Sequence, residues 1–380
     1  MKEYKKCPVA GICGGCDYQG VPYLKQCELK QDKIIKLFKN KTTIKSFVEA
    51  ENPFNYRNKI QVTFGKDPKG KIVVGNYAKD SHFLVPIDDC MICDEGALDI
   101  IKSFKTLANK YHISIYDERI QKGCLRHLLI RVNSNNEYML VIVTASPHIN
   151  KETELIRDLL KYNKNIKSII QNINNSYTSM ILGKKNRTMY GKPYLVDELL
   201  NNKFRISAAS FYQINHAQAE KLYSTAIDFA NFKGNETVID AYCGTGTIGI
   251  ILSKYVKEVI GVEINEAAIK DAIINSKNNK VSNIEFVCDD AGKFMNKLSR
   301  NKMHIDVVIM DPPRSGASEE FLKSLVRLSP NKIVYISCNP DTLNRDLNFL
   351  IKNNYSCKKL QSFDMFPYTE HIETVVLLSK

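Results

Sequence analysis

No apolar run in this chain approaches the length of a membrane span. Its start, Met1-Lys2-Glu3-Tyr4-Lys5-Lys6-Cys7, has no apolar core of the kind a signal peptide needs. Both absences make the cytoplasm the expected compartment and leave no role in a membrane. Low-complexity tracts are missing too, and with 44% apolar and 25% charged residues the composition is that of a globular protein. No second redox-cofactor motif is present, which counts against an electron carrier. Acidic residues are scarce, 41 against 54 lysines and arginines, for a formal charge of +13. The first fifty residues hold ten lysines and five acids. A basic surface of this size points to a polyanionic partner, most simply nucleic acid. At 380 residues the chain has room for two domains, or one large domain with an insertion.

Eleven cysteines without a secretory leader are a poor match to a disulfide framework; metal or catalysis is the better reading. Cys7, Cys13 and Cys16 share one short loop, Cys7-Pro8-Val9-Ala10-Gly11-Ile12-Cys13-Gly14-Gly15-Cys16, whose glycines let backbone wrap closely round a metal centre. A fourth ligand has to come from elsewhere, and Cys90 and Cys93 are the candidates. Four thiolates suit either an iron–sulfur cluster or tetrahedral zinc, and three close cysteines with one remote partner look more like a [4Fe-4S] cluster. Cys27, Cys124, Cys243, Cys288 and Cys357 stand alone and read as packing residues.

Between 23 and 38, Leu24, Leu29, Ile34, Ile35 and Leu37 recur at helical spacing among lysines, the pattern of a surface helix. Tyr56 to Phe64 alternates as a half-buried strand and pairs with Ile72-Val73-Val74-Gly75 across Lys69-Gly70-Lys71. Arg57 and Lys59 on that strand are placed to meet phosphates or to line a solvated edge. A helix follows over 98–111. Two strands, a helix and a strand come next, at 123–132, 138–143, 152–162 and 166–173. That order predicts an α+β domain with an antiparallel sheet. His127, without metal-ligand spacing, is expected to be structural or to touch substrate.

After about residue 204 the pattern changes to alternating strands and helices. Thr237-Val238-Ile239-Asp240-Ala241-Tyr242-Cys243-Gly244-Thr245-Gly246 is a strand, an acid and a glycine turn opening a helix. Such glycines let a ligand approach backbone at the carboxyl end of a parallel strand. The next strand ends at Glu263, placed to hold a ribose diol. Further strands end at Asp289-Asp290, at Asp311-Pro312-Pro313-Arg314 and at Cys338. With two final strands joined by a short connection, these make a seven-stranded α/β sheet of the class I S-adenosylmethionine methyltransferase kind. In such a sheet Glu263 serves ribose, Asp290 adenine, and Asp240 or Asp311 the methionine end or the acceptor.

Ile333 to Ser337 is a short buried strand with Cys338 at its end. Asn339-Pro340 stops it, and Asp341 or Thr342 is expected to cap the helix beyond. A thiol beside a helix N-terminus is expected to lean toward thiolate and to act as a nucleophile.

Together these segments resemble the RNA uracil-5-methyltransferases, which include iron–sulfur 23S ribosomal RNA enzymes and tRNA enzymes. The marks are Cys7…Cys13-Gly14-Gly15-Cys16, Ser210-Phe211-Tyr212-Gln213-Ile214-Asn215, Asp240 to Gly246, Asp311-Pro312-Pro313-Arg314, Ser337-Cys338-Asn339-Pro340 and Phe366-Pro367-Tyr368-Thr369-Glu370-His371-Ile372-Glu373. The resemblance implies that Cys338 is the nucleophile and Glu373 the base, Glu370 being the solvated rival. It implies that Gln213, Tyr242, Glu263, Asp290 and Asp311 line the site for S-adenosylmethionine and acceptor. It also implies that Cys7, Cys13, Cys16 and Cys90 hold a [4Fe-4S] cluster, Cys90 matching the remote ligand better than Cys93. The partner implied is RNA, with 23S ribosomal RNA favoured over tRNA, and a monomer is the default. Many members begin with a TRAM domain, a small RNA-binding β-barrel; a cysteine motif starting at residue 7 leaves no room for one. RNA grip is then expected from the cluster domain and the basic surface. The expected layout is a cluster loop at 1–22 and a helical segment at 23–50, docking on the catalytic domain as in relatives. A central RNA-binding domain at 51–204 and a methyltransferase domain at 205–380 follow. Phe211, Tyr212, Phe366 and Tyr368 are candidates to stack on a target base, with core packing the default for each.

Overall fold

A computed structural model describes residues 7–178 and 180–380. Helix α1 (Tyr23–Phe38) comes first, followed by the two-residue strand β1 (Thr43–Ile44). The face that α1 buries is not the one its aliphatic residues mark. Tyr23, Cys27, Lys30, Ile34 and Phe38 are buried, while Leu24, Leu29 and Ile35 are exposed. The reason is electrostatic. Lys30 Nζ lies 2.6 Å from Asp364 Oδ1, both side chains fully enclosed, and also donates to the Phe366 carbonyl at 3.1 Å. Ile34 and Phe38 sit in the same core as Leu343, Leu347 and Tyr355 near the C-terminus. Burying each such side chain contributes about 1.5–3 kcal/mol.

The central sheet holds β2 (Lys59–Lys66), β3 (Ile72–Tyr77), β4 (Leu84–Pro86), β5 (Leu125–Val132), β6 (Tyr138–Thr144), β7 (Ile166–Ile173) and β8 (Lys185–Gly191), in the order β4-β3-β2-β5-β6-β7-β8. Helices α2 (Glu95–Lys110) and α3 (Glu152–Tyr162) cover one face, over Ile60, Val62, Leu128, Ile130 and Leu140. The sheet is mixed, not antiparallel as expected: α3 is a crossover, so β6 and β7 run parallel. The edge strand β8 has no buried alternation to give it away, its residues being exposed or half-exposed.

The hairpin β9 (Tyr194–Leu199) and β10 (Asn202–Ser207) straddles the expected boundary at 204/205. Leu195 packs on the open face of the central sheet with Leu129, Met139 and Val141. On its other side Arg205 N–H donates to Asn275 Oδ1 at 2.8 Å, tying it to the C-terminal half.

That half runs α4 (His216–Ala230), β11 (Thr237–Ala241), α5 (Thr247–Leu252), β12 (Glu258–Glu263), α6 (Glu266–Asn278), β13 (Ile284–Cys288), α7 (Ala291–Arg300), β14 (Val307–Met310), α8 (Glu319–Leu328), β15 (Lys332–Ser337), α9 (Pro340–Lys352), β16 (Ser356–Phe363) and β17 (Glu373–Ser379). Its seven strands are joined by β1, giving an eight-stranded sheet ordered β1-β16-β17-β15-β14-β11-β12-β13. From β13 to β15 neighbours are parallel; β17 is antiparallel to both β15 and β16. Cys288, expected inside, is exposed at the end of β13.

Candidate active site

Parallel strands gather their carboxyl ends along one edge of a sheet, and an antiparallel neighbour begins on that same edge. Here β14 ends before Asp311, β15 ends before Cys338, and β17 starts at Glu373. Ser337 pairs with Thr374, so Cys338 and Glu373 follow directly on the last rung. Glu373 is 3% exposed and its Oε2 has no hydrogen-bond partner among the described residues. Burial, then the nearby Asp311 charge, holds the Glu373 carboxyl well above the usual carboxylate range. Burial likewise pushes Asp311 up to about 7. Glu370, by contrast, is exposed.

Cys338 departs from the expectation of a ready thiolate. Its thiol is pushed up to about 12 by burial first, and then by Glu373 and Asp311. Arg314 opposes them weakly. Helix α9 begins just behind it. Asn339, not Asp341 or Thr342, is the cap and accepts from Asp341 N–H at 3.1 Å. Asn339 Nδ2 and Thr342 Oγ1 both donate to the Arg314 carbonyl, at 3.1 and 3.3 Å, which stitches the Asp311–Arg314 turn to α9.

A cleft next to this edge is lined by Gln213, Tyr223, Tyr242, Gly244, Thr247 and Asp311 among others. Asp311 is therefore shared between the cleft and the thiol. The enclosed space is about 40 Å³, too small for a nucleoside, so a ligand there has to extend along the open strand ends. Those ends carry the other predicted acids. Glu263, at the end of β12, accepts from Gly244 N–H at 3.2 Å and Asn265 N–H at 2.9 Å. Asp290, beyond β13, caps α7 by accepting from Lys293 N–H at 2.9 Å. Tyr242 adopts φ +63°, a left-handed conformation costly for a side chain with a Cβ, and strain of that sort gathers at ligand sites. Of the four aromatic candidates, Phe211 is 68% exposed at the lip of the cleft, whereas Tyr212 and Tyr368 are core residues.

The cysteine loop lies against both halves of the molecule. Gly14 N–H donates to the Tyr77 carbonyl at 3.1 Å, and Asp17 and Tyr18 N–H both donate to the Tyr368 carbonyl at 3.0 Å. Cys7, Cys16 and Cys90 pack on Met91, Ile92 and Tyr368. Burial pushes Cys16 up to about 12, with Cys90, Cys13 and Cys7 adding to the rise. Cys90 goes the other way, to about 6, because the Cys93 thiol and the backbone N–H groups of Ile92 and Cys93 bond to its sulfur. Arg57 is not at a phosphate-facing edge; it sits beside Cys16 and Cys93. Among the described residues no three His, Cys, Asp or Glu side chains are grouped so as to hold a metal ion.

Residues 23–380 match the family model described as tRNA (Uracil-5-)-methyltransferase. The chain belongs to that family. Membership makes it an S-adenosylmethionine-dependent RNA methyltransferase with the class I fold. An uncharacterised RNA methyltransferase of Clostridium tetani is 39% identical over 378 residues, 98% of this chain and 82% of the relative. One from Staphylococcus epidermidis is 40% identical over 371 residues, 96% of this chain and 81% of the relative. Among solved structures, the Pyrococcus abyssi tRNA (uracil-54, C5)-methyltransferase in complex with S-adenosyl-L-homocysteine is 28% identical. It superimposes with a TM-score of 0.81, covering 97% of this chain and 86% of that one.

Two residues at this candidate site escaped the sequence reading. Tyr223 is buried in the middle of α4, bonds to Gln213 and lies near Asp311 and Glu373. On a helix its spacing is that of an ordinary core residue, so no pattern could have singled it out. Arg314 was visible in its motif but carried no role. It reaches His371 at 3.2–3.4 Å beside the catalytic edge.

Proposed function

We propose that this methyltransferase moves the methyl group of S-adenosylmethionine to C5 of a specific uridine in RNA, with 23S ribosomal RNA as substrate, through a covalent bond between Cys338 and C6. The observation that supports it best is the convergence of one thiol and two perturbed carboxyls, Cys338, Glu373 and Asp311, on a single sheet edge. C5 of uracil is too weak a nucleophile unaided. As the Cys338 sulfur bonds to C6, its proton passes to the carboxyl pair, and the ring electrons shift toward O4. C5 then becomes nucleophilic. When bound, S-adenosylmethionine supplies an electrophilic methyl group and a positive charge that favours ionised carboxyls beside it. Asp311 has room for the thiol proton while Glu373 takes the one from C5. Breaking the C6–S bond restores the ring and frees the thiol. Gln213, Tyr242, Glu263, Asp290 and Asp311 are assigned to cofactor and acceptor, and a flipped or splayed-out uridine is the form that reaches Cys338.

Cys7, Cys13, Cys16 and Cys90 are assigned to a [4Fe-4S] cluster. Their thiols interact with one another, and hydrogen bonds from Cys93 and from backbone favour the ionised form of Cys90. The role assigned to the cluster is structural, clasping the segment before Glu373 to the central sheet.

The experiment is transfer of labelled methyl from S-adenosylmethionine into RNA, followed by mapping of 5-methyluridine in ribosomal and transfer RNA of a strain lacking the gene. Cys338→Ala is expected to abolish product; turnover retained in that variant refutes the mechanism. A tRNA substrate is the second reading, favoured by the likeness to the Pyrococcus abyssi enzyme, and the mapping separates the two. Iron and acid-labile sulfide in equal amounts in anaerobically purified protein support the cluster, and zinc in their place overturns it.

A further inference from the structure

A cavity of about 660 Å³ opens on the face of the central sheet that α2 and α3 leave uncovered. That volume is in the range of sites for small organic ligands. Its floor is Thr63 and His127, partners across β2 and β5, with Thr63 Oγ1 3.1 Å from His127 Nδ1. Tyr77, Tyr116 and Tyr177 supply aromatic walls, and Arg119 and Lys122 stand at the rim.

The walls are tied in place. Arg126, 4% exposed, donates to the carbonyls of Asn174 and Ser176 at 2.8 and 2.9 Å, just before Tyr177. The same guanidinium pairs with Glu118 at 3.2 Å and lies 4.7 Å from the Tyr116 ring centroid. One buried cation therefore fixes both the loop bearing Tyr116 and the loop bearing Tyr177. Burial, together with Arg126, pulls His127 down to about 4, so its imidazole is neutral at physiological pH. Its Nε2 has no hydrogen-bond partner among the described residues and is free to meet the edge of a ligand.

The cavity also points somewhere. Thr63, Gln61 and Lys59 share one face of β2, opposite His127, Leu129 and Arg131 of β5. Lys59 makes no ion pair among the described residues, and Arg131 donates to the Ala208 and Ser210 carbonyls at the foot of the catalytic half. Asn58, next along the chain, donates to the carbonyl of Gln213 at 2.8 Å. At ~3.4 Å per residue, the distance from cavity floor to Lys59 is roughly 13 Å, the span of a few nucleotides.

We infer that this cavity holds one unstacked nucleotide of the RNA substrate, a few residues along the strand from the target. Its base lies among the tyrosine rings with an edge toward His127, and its phosphates meet the rim cations and Lys59. The choice of RNA as ligand rests on the uridine-methylation reading above. Stacking on several rings tolerates any base, so the pocket grips and sets the register, and leaves target choice to the catalytic edge.

The test uses the full chain and a single-stranded RNA of mixed sequence carrying 4-thiouridine. Ultraviolet crosslinks are expected in the peptides containing Tyr116 or Tyr177. The Tyr116→Ala/Tyr177→Ala double variant is expected to bind the same RNA roughly tenfold more weakly or worse by fluorescence anisotropy. Its affinity for S-adenosyl-L-homocysteine, measured by calorimetry, reports that the fold is intact. Tyr177→Ala alone, at a residue 79% exposed, cannot fail by unfolding and is expected to lose several-fold. Crosslinks confined to other peptides, with undiminished affinity in both variants, overturn the inference. Wild-type crosslinks in the cavity without methyl transfer into any RNA would sink the uridine reading and leave the cavity standing; transfer with unaltered RNA affinity in both variants does the reverse.

Discussion

In the central sheet Gln171, Asn172 and Asn174 are as buried as any aliphatic residue, and each is fully engaged. Gln171 donates to Thr144 Oγ1 and the Ser146 carbonyl and accepts from Arg187. Asn172 bonds both ways with Gly183, and Asn174 donates to the carbonyls of Met180 and Ile181. In the C-terminal sheet the buried polar atoms include Asp240 Oδ1 and Glu373 Oε2, which have no hydrogen-bond partner among the described residues. Asp240 rises to about 7 through burial, and Glu373 rises through burial first and then the Asp311 charge. The first arrangement pins loops to a sheet; a satisfied network costs little and rigidifies. The second leaves buried carboxyls unanswered at an expense in stability, the pattern that gathers at functional sites.

The contrast breaks most visibly at Glu373. Glu373→Gln keeps the shape and removes the base, and turnover is expected to fall by about 10²–10⁴-fold. On the proposed mechanism the thiol still adds, so an RNA–protein complex stable to denaturing gel electrophoresis should accumulate; its absence, with full activity, would show that the base lies elsewhere. Next comes Lys30, which answers a fully enclosed carboxyl of this half with an equally enclosed opposite charge. Lys30→Met strands Asp364 and is expected to destabilise the fold by about 3–5 kcal/mol, read as a lowered thermal midpoint. Lys30→Met/Asp364→Leu should recover most of it, and no recovery would mean that packing, not charge, holds α1.

A smaller effect is expected in the pH profile. A base must lose its proton to work, and burial together with the Asp311 charge holds Glu373 well above the usual carboxylate range, so kcat/KM should rise with pH above that range. In Asp311→Asn the neighbouring charge that helps to raise Glu373 is gone, and the rising limb should move acidward. A limb that stays put would show that Asp311 and Glu373 do not interact. Smallest of all, Gln171→Ala in the central sheet should cost about 1–3 kcal/mol of stability through its orphaned partners while leaving methyl transfer alone.

Motifs at strand ends were legible because a parallel sheet needs them there. The glycine turn after Ala241, the acids Glu263, Asp290 and Asp311 and the thiol at Cys338 can all be placed on one edge from chain order alone. The face buried by α1 was not legible. Leu24 and Ile35 look like core and Lys30 like surface, and only Asp364, 334 residues away, reverses them. The edge strand β8 carries no alternation, and the mixed character of the central sheet depends on which side α3 crosses. The Cys338 thiol, too, reads as activated from its helix, whereas burial first, and then Glu373 and Asp311, push it up.

Local order in the chain, by itself, determined which family this protein belongs to, the alternation of strand and helix, and the identity of the chemical groups. Periodicity and turn residues act over a few positions, and the sequence displays them directly. Tertiary structure alone decided the ionisation of those groups, the docking of α1 and the shape of the open face beside β2. Each depends on charges and desolvation contributed by segments far apart in the chain, and such energies exist only once the segments have met.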